Sequence, residues 1–149
     1  MEQGYWFKSD LFQIQQGEDE ETNPGCYGRA LGHWLRGQLK RLGYDVDAPI
    51  PEDWGWCVAC AHKDYLLWIG CGSEMGENFP EDYDPDVPPD GRTVTWHAFP
   101  VIEVPFFYWR SWLLKLLGKL DTKRPLIKLN QDLKNILDAE PRIDCCGPP

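Results

Sequence analysis

The sequence predicts a single α+β domain, residues 1–149, in which an antiparallel sheet of about four or five strands is covered mainly on one face by three helices. Hydrophobic residues alternate at period two between Trp54 and Cys71, which is typical of a β-hairpin. Hydrophobic residues recur at helical spacing in three other segments: 25–42, 105–120 and 126–137. A chain of 149 residues has the size of one domain and can form a core without a metal or a disulfide.

The N-terminal part predicts a strand followed by a helix. Residues 4–15 are rich in aromatic and branched side chains and predict the first strand. Asn23 is a good N-cap and Pro24 suits a first helical position, so the first helix is expected to run from about Gly25 to Leu42. A short edge strand is expected at 44–47.

The central hairpin has one face of large side chains and one of small side chains. The large face carries Trp54, Trp56, Val58, Cys60 and His62, and the small face carries Cys57, Ala59 and Ala61. We expect a helix to pack closely on the small face and another layer, or a partner, to meet the large face.

The C-terminal half predicts a loop, a strand and two helices. A long loop rich in Gly, Pro and acids covers 72–90, and residues 92–104 form a strand with a bulge or bend at Pro100. Helices follow from Pro105 and over 126–137, and the tail, 141–149, is expected to be frayed.

Composition excludes several classes of function. A formal net charge of −9 disfavours nucleic acid as a partner, because phosphate binding needs clustered Lys and Arg. The N-terminus lacks the features of a signal peptide, and no apolar run is long enough for a membrane span. We therefore expect a cytoplasmic protein with reduced cysteines.

No cofactor or metal site is expected. Cys57 and Cys60 are spaced as in a zinc knuckle, but in a strand their thiols point to opposite faces. The acids from Asp82 onward resemble a calcium loop but have Val87 and Thr93 where an EF-hand needs Gly and Glu.

The acidic loop is the segment whose composition points most directly to function. It has no Lys or Arg, and an aromatic residue lies among its acids, a combination that serves for steering and anchoring at interfaces. We expect it to dock on a basic protein surface, with Tyr83 as the anchor. The predicted partner-binding residues are Glu81, Asp82, Tyr83, Asp84 and Asp86, together with a rim formed by Glu52, Asp53 and Trp54.

The segment 106–117 is very apolar for a surface helix. We expect it to be buried in the core or in a homodimer interface; an interfacial helix on a membrane is an alternative, because its charges are basic.

Three motifs of the chain resemble a family of small bacterial proteins of uncharacterised function: ETNPGCYGRALGHWL (21–35), GYDV (43–46) and PEDWGWCV (51–58). The resemblance continues to the EVP and DT motifs at 103–105 and 121–122 and so covers most of the chain. It implies a bacterial, cytoplasmic α+β domain and supplies no catalytic residues. The architecture is similar to that of bacterial immunity and inhibitor proteins by fold-level analogy alone.

The sequence therefore favours a non-catalytic protein-binding domain, in its sharper form a bacterial immunity or inhibitor protein that covers a basic site on a toxin or effector. A phage-type counter-defence inhibitor is one alternative. A small enzyme that uses the Arg29/His33 helix face or the Glu52–Asp53 segment is another.

Overall fold

The computed structural model describes residues 4–74 and 81–149, and it contains one open antiparallel sheet with the strand order β2-β3-β4-β5-β1-β6. The elements are β1 (Tyr5–Ser9), α1 (Arg29–Arg41), β2 (Ile50–Glu52), β3 (Gly55–Ala61), β4 (Leu66–Glu74), β5 (Thr95–Glu103), α2 (Trp109–Leu116), α3 (Lys123–Ala139) and β6 (Ile143–Cys146). The α+β class and the three helices are as predicted; the sheet has six strands because both of its edges carry a short one.

One face of the sheet forms the core. Its side chains, among them Val58, Ile69 and Trp96, are fully buried against leucines of α1 and α3 such as Leu35 and Leu133. The large-residue face of the hairpin is therefore the one that the helices cover, and the expectation that a helix packs on the small face is wrong. Large apolar side chains exclude more water when they are buried, so the helices lie where burial stabilises most.

The first helix begins later than the sequence suggests. Its N-cap is Gly28, and neither Asn23 nor Pro24 is part of the helix. The buried carboxylate of Glu18 replaces a local cap, because its Oε1 accepts hydrogen bonds from the backbone N–H of Gly28 (2.8 Å) and of Arg29 (2.9 Å). A negative charge at this position also suits the positive end of the helix. A cap supplied from ten residues upstream cannot be recognised from local sequence signals.

Glycine is required at the N-cap because the helix starts against the sheet. A Cβ at Gly28 would lie 2.3 Å from the carbonyl oxygen of Cys71, a backbone atom that cannot move aside. The first turn of α1 is thus in direct contact with β4.

Several boundaries differ from the sequence predictions. The first strand ends at Ser9, and residues 44–47 form no strand; the edge strand is β2 instead. The tail is not frayed, because residues Ile143–Cys146 pair with β1 as β6. Pro100 causes no bulge, since it pairs in register with Ile69 and lies beyond the part of β5 that pairs with β1.

The segment after β5 is exposed, so its predicted burial in the core is wrong. Of the residues of α2, Ser111 is buried, whereas Trp109 and Leu116 are 68% and 71% exposed. Within the described ranges, no helix has the length and hydropathy needed to cross a bilayer.

We predict that Glu18→Ala lowers the free energy of unfolding by about 2–5 kcal/mol, because it leaves the buried N–H groups at the start of α1 without an acceptor. Urea denaturation followed by circular dichroism measures the change. The matched control is Glu20→Ala, an exposed acid of the same short 3₁₀ turn, for which a change within about 0.5 kcal/mol is expected. Equal losses for the two variants would contradict the assigned capping role.

Candidate functional site: the open aromatic face of the sheet

The sheet face opposite the core has no helix packed on it in the described part of the chain, and a continuous band of aromatic rings crosses it. Ring centroids lie 4.1 Å apart for Trp6 and His97, 4.8 Å for His97 and Phe99, and 6.0 Å for Phe99 and Trp68. Trp54 completes the band, with its centroid 5.5 Å from that of Trp68. The band therefore runs from β1 across β5 and β4 to the turn before β3, and it is called the aromatic face below.

Strand register and two glycines produce this band. Trp6 on β1 pairs with His97 on β5, so their side chains lie on the same face of the sheet. Phe99 lies two residues after His97 on β5, therefore on the same face, and it pairs with Gly70 on β4. The ring of Phe99 lies directly over Gly70 of β4. A Cβ atom at Gly70 would come within 2.2 Å of this ring, so only glycine leaves room for it. An aromatic ring that covers a glycine fills the gap left by the missing side chain.

A second glycine brings Trp54 onto the face. Gly55 has a φ of 150°, and a Cβ there would lie 2.5 Å from the carbonyl oxygen of Cys71. This conformation folds the 53–54 turn back over β4, so Trp54 stacks on Trp68 while Trp56, two residues on, points into the core. The sequence prediction that Trp54 and Trp56 lie on the same face of the hairpin is therefore wrong for Trp54.

An open groove of about 360 Å³ lies on the β3 side of the aromatic face. Cys57 and Ala59 form its floor, and Trp54 and Trp68 form its aromatic wall. Glu52 lies at the end where β2 meets β3, and Glu103 lies at the other end, opposite Leu66. The groove is thus apolar along its length with a carboxylate at each end.

The two carboxylates are close enough to affect the floor of the groove. Burial raises the pKa of the Cys57 thiol to about 12, and the negative charges of Glu52 and Glu103 add to this shift. The thiol is therefore neutral at physiological pH and is not an activated nucleophile. Trp68 donates its indole Nε1–H to Glu103 Oε1 over 3.0 Å, which fixes the orientation of the wall and of this carboxylate.

An acidic edge adjoins the groove at its Trp54 end. The backbone N–H of Asn23 donates to the carbonyl of Asp53 (3.1 Å), and Gln16 donates to Asp86 (3.4 Å), so the fold brings the 53–54 turn and the acidic loop to the same side of the molecule as residues 16–23. The exposed carboxylates of this edge are Glu20, Glu21, Glu52, Asp53, Glu81, Asp82, Asp84 and Asp86. The two groups of predicted partner-binding residues, separate in sequence, are therefore neighbours. Residues 75–80 of the predicted acidic loop lie outside the described ranges.

Tyr83 and the acids upstream of α1 have a structural role at this edge. The Tyr83 hydroxyl donates to the carboxylate of Asp19, which also accepts from the backbone N–H of Gly25 (2.9 Å). Partial burial and then Asp19 raise the pKa of Tyr83. Because Glu18 and Asp19 are buried, they do not contribute to the exposed acidic edge. The anchor role predicted for Tyr83 in a complex stays a prediction.

Of the residues of the alternative enzymatic site, Arg29 has its contacts within the fold. Arg29 pairs with Glu21, donates to Gln15 (3.0 Å) and lies 4.5 Å from the Trp56 ring centroid, whereas His33 is exposed on the next turn. In the described ranges, no group of three His, Cys, Asp or Glu side chains is placed to hold a metal ion. Cys57 lies on the open face and Cys60 in the core, as the spacing argument expected.

Sequence reasoning missed most of the aromatic face. It identified Glu52, Asp53 and Trp54 but not Trp68, Phe99 or Glu103. The alternation of side chains along β5 could have revealed this face. His97 and Phe99 alternate with the core residues Trp96 and Ala98, so they point to the opposite side of the sheet. No protein-family model, curated protein or solved structure matches this chain, and the resemblance to a bacterial family stays a prediction.

We predict that the protein loses stability as pH rises from about 9 to about 12. Burial raises the pKa of Cys57 and Cys60 from 9 to about 12, and it raises that of Tyr27 and Tyr44 from 10 to about 12. The native state then holds protons that the unfolded chain has lost, so the stabilisation is complete below pH 9 and disappears through the native pKa values. Urea denaturation at stepped pH measures this. Cys60→Ala should make the decline less steep, and stability that is constant or rises over this range would contradict the assignment.

We also predict that Tyr83→Phe loosens the acidic loop. It removes the hydroxyl that ties the loop to Asp19, a loss of about 1–3 kcal/mol where a charged acceptor is involved. Amide hydrogen exchange of residues 81–87 should become faster, while exchange in β4 and β5 should be unchanged. If the amides of the loop exchange at the same rate in the variant and in the parent protein, the hydrogen bond from Tyr83 to Asp19 does not restrain the loop.

Proposed function

We propose that this protein is a non-catalytic protein-binding domain whose aromatic face and acid-ended groove hold a partner segment containing basic and apolar side chains. The single observation that carries the proposal is the band of five aromatic side chains on a sheet face that no helix of the described chain covers. Aromatic side chains that are not buried in a core are enriched at protein interfaces.

The chemistry of the groove favours a cationic side chain. Trp54 is 38% exposed and offers a π face, and Glu52 and Glu103 offer carboxylates at the two ends. A guanidinium stacks on indole and pairs with a carboxylate, so arginine satisfies both kinds of group at once. The apolar floor between the two ends accommodates an apolar side chain of the same segment.

The acidic edge supports the encounter with such a partner. Its exposed carboxylates lie beside the Trp54 end of the groove, where they attract a basic surface over a Debye length of about 8 Å. Edge charges of this kind increase the association rate more than the lifetime of the complex. The groove and the edge are thus expected to affect different rate constants.

The finer form of the proposal is a bacterial immunity or inhibitor protein that covers the basic site of a toxin or effector in the cytoplasm. The support is complementary charge: an inhibitor of a basic active site needs acids arranged around an apolar contact, and the acidic edge and the groove supply both. No catalytic step is assigned to the site, since its thiol is neutral and its carboxylates flank an apolar floor.

The proposal is tested by selecting peptides from a random display library with the immobilised protein. The selected peptides should contain Arg or Lys beside apolar residues. For these peptides, Glu52→Gln/Glu103→Gln should weaken binding by at least about tenfold, equivalent to about 1.4 kcal/mol. Glutamine keeps an acceptor for the Trp68 indole and removes only the charge.

A matched control removes two carboxylates elsewhere, with Asp45→Asn/Glu140→Gln, and should leave the affinity unchanged. Association kinetics separate the two parts of the site: Asp82→Asn/Asp84→Asn/Asp86→Asn should lower the on-rate in a salt-dependent manner, and Trp54→Ala should raise the off-rate. Selected peptides without basic residues, or with equal affinity for the groove variant and the parent, would overturn the proposal.

A further inference from the structure

The segment Phe106–Leu117 is an apolar surface that faces away from the protein. Ser111 is 7% exposed and points to the body, whereas Trp109 and Leu116 are 68% and 71% exposed. Phe106 in the preceding turn is 85% exposed. Surface helices of globular proteins bury their apolar side, so α2 has the reverse orientation. We call residues 105–120 the outer segment.

The outer segment carries positive charge on an otherwise acidic protein. It contains Arg110, Lys115 and Lys119 and no acid, while the whole chain has a formal net charge of −9. The neighbouring stretches, 62–64 and 121–124, add Lys63, Lys123 and Arg124 against Asp64 and Asp121. Asp47, whose carboxylate lies 3.3 Å from His62, and Glu103, which pairs with Leu66, also lie at this end. Six bases therefore face four acids, and this end of the molecule carries a net positive charge.

The outer segment and the acidic edge lie at opposite ends of β3 and β4. Tyr108 donates its hydroxyl to the carbonyl of His62 (3.0 Å), which places α2 beside the β3–β4 turn. The 53–54 turn lies at the other end of β3, seven residues away, a span of roughly 23 Å at about 3.3 Å per residue. This exceeds two Debye lengths of about 8 Å at physiological ionic strength, so the acidic edge does not repel an anion that approaches α2.

We propose that the outer segment is a docking surface for an anionic lipid bilayer. Its aromatic and leucine side chains enter the interface, and its basic residues contact the lipid phosphates. Interfacial helices combine Trp, Phe and Leu with Lys and Arg in this way, and they lie in the plane of the interface without spanning it. The acidic edge then lies at the far end of β3 from the bilayer.

A second copy of this chain fits the same surface less well. The exposed arc of α2 from Trp112 through Trp109 to Leu114 covers about 200° of the helix at about 100° per residue, and it holds Arg110 among its apolar side chains. When two helices pair with each other, each buries an apolar stripe that is narrower than this arc. Pairing of identical segments would also bring their basic residues close together, and like charges at an interface repel.

The experiment is flotation of the 149-residue protein with vesicles of phosphatidylcholine alone and of an equimolar mixture with phosphatidylglycerol. Binding is expected to the mixed vesicles and to decrease with added salt. Trp109→Ser/Leu116→Ser should abolish it, because both side chains are exposed and their loss spares the core. The matched control is Val87→Ser/Ile127→Ser, which removes side chains 69% and 67% exposed outside the outer segment and should bind as the parent does.

Charge is tested with Lys115→Gln/Lys119→Gln, which should weaken binding by about fivefold for each basic residue removed. Lys40→Gln/Arg41→Gln, on exposed positions of α1, should change nothing. Absence of binding to the mixed vesicles, or equal binding by Trp109→Ser/Leu116→Ser, overturns the proposal. Sedimentation equilibrium that shows a dimer disrupted by the same substitutions, with no vesicle binding, overturns it in favour of a second copy.

Discussion

The buried carboxylates of Glu18 and Asp19 are the interaction on which the arrangement of the molecule depends. Glu18 caps α1, and Asp19 binds the backbone of Gly25 and the hydroxyl of Tyr83. Both acids would be costly to bury without partners, and their partners come from three separate segments. They fix the direction of α1 across β3 and β4 and hold the acidic loop against the same end of the sheet. Helices α1 and α3 are thereby committed to one face, and the aromatic residues of the other face remain available.

The two faces of the sheet illustrate how similar residues take different roles. Trp56 and Trp96 are buried beneath the helices, whereas Trp54 and the half-buried Trp68 form a wall of the groove with Glu103. The difference arises from Gly55 and Gly70, which allow a turn and a ring to approach β4 closely. The carboxylates beside Trp54 and Trp68 then give the open face a charge preference that a core lacks.

The parts of the fold that depend on local periodicity were predictable from the sequence, and the parts that depend on long-range contacts were not. The β3–β4 hairpin, α1 and α3 follow from spacing, and Leu35 and Leu133 are in the core as that spacing requires. The cap from Glu18 and the pairing of β6 with β1 join residues far apart in sequence, so no local signal announces them. For the site, composition identified the acids and Trp54, but strand register was needed to bring Phe99 and Glu103 beside them.

The position of β1 has a consequence for how the chain folds. Strand β1 lies between β5 and β6, two strands from the later part of the chain, so Tyr5 pairs with Ala98 and Phe7 with Cys145. The N-terminal strand therefore has no hydrogen-bonding neighbour until most of the chain has been synthesised. Closing such long loops is entropically costly and slows folding relative to a sheet built of consecutive hairpins. We expect the β3–β4 hairpin and β5 to form an early nucleus, and insertion of β1 to complete the sheet late.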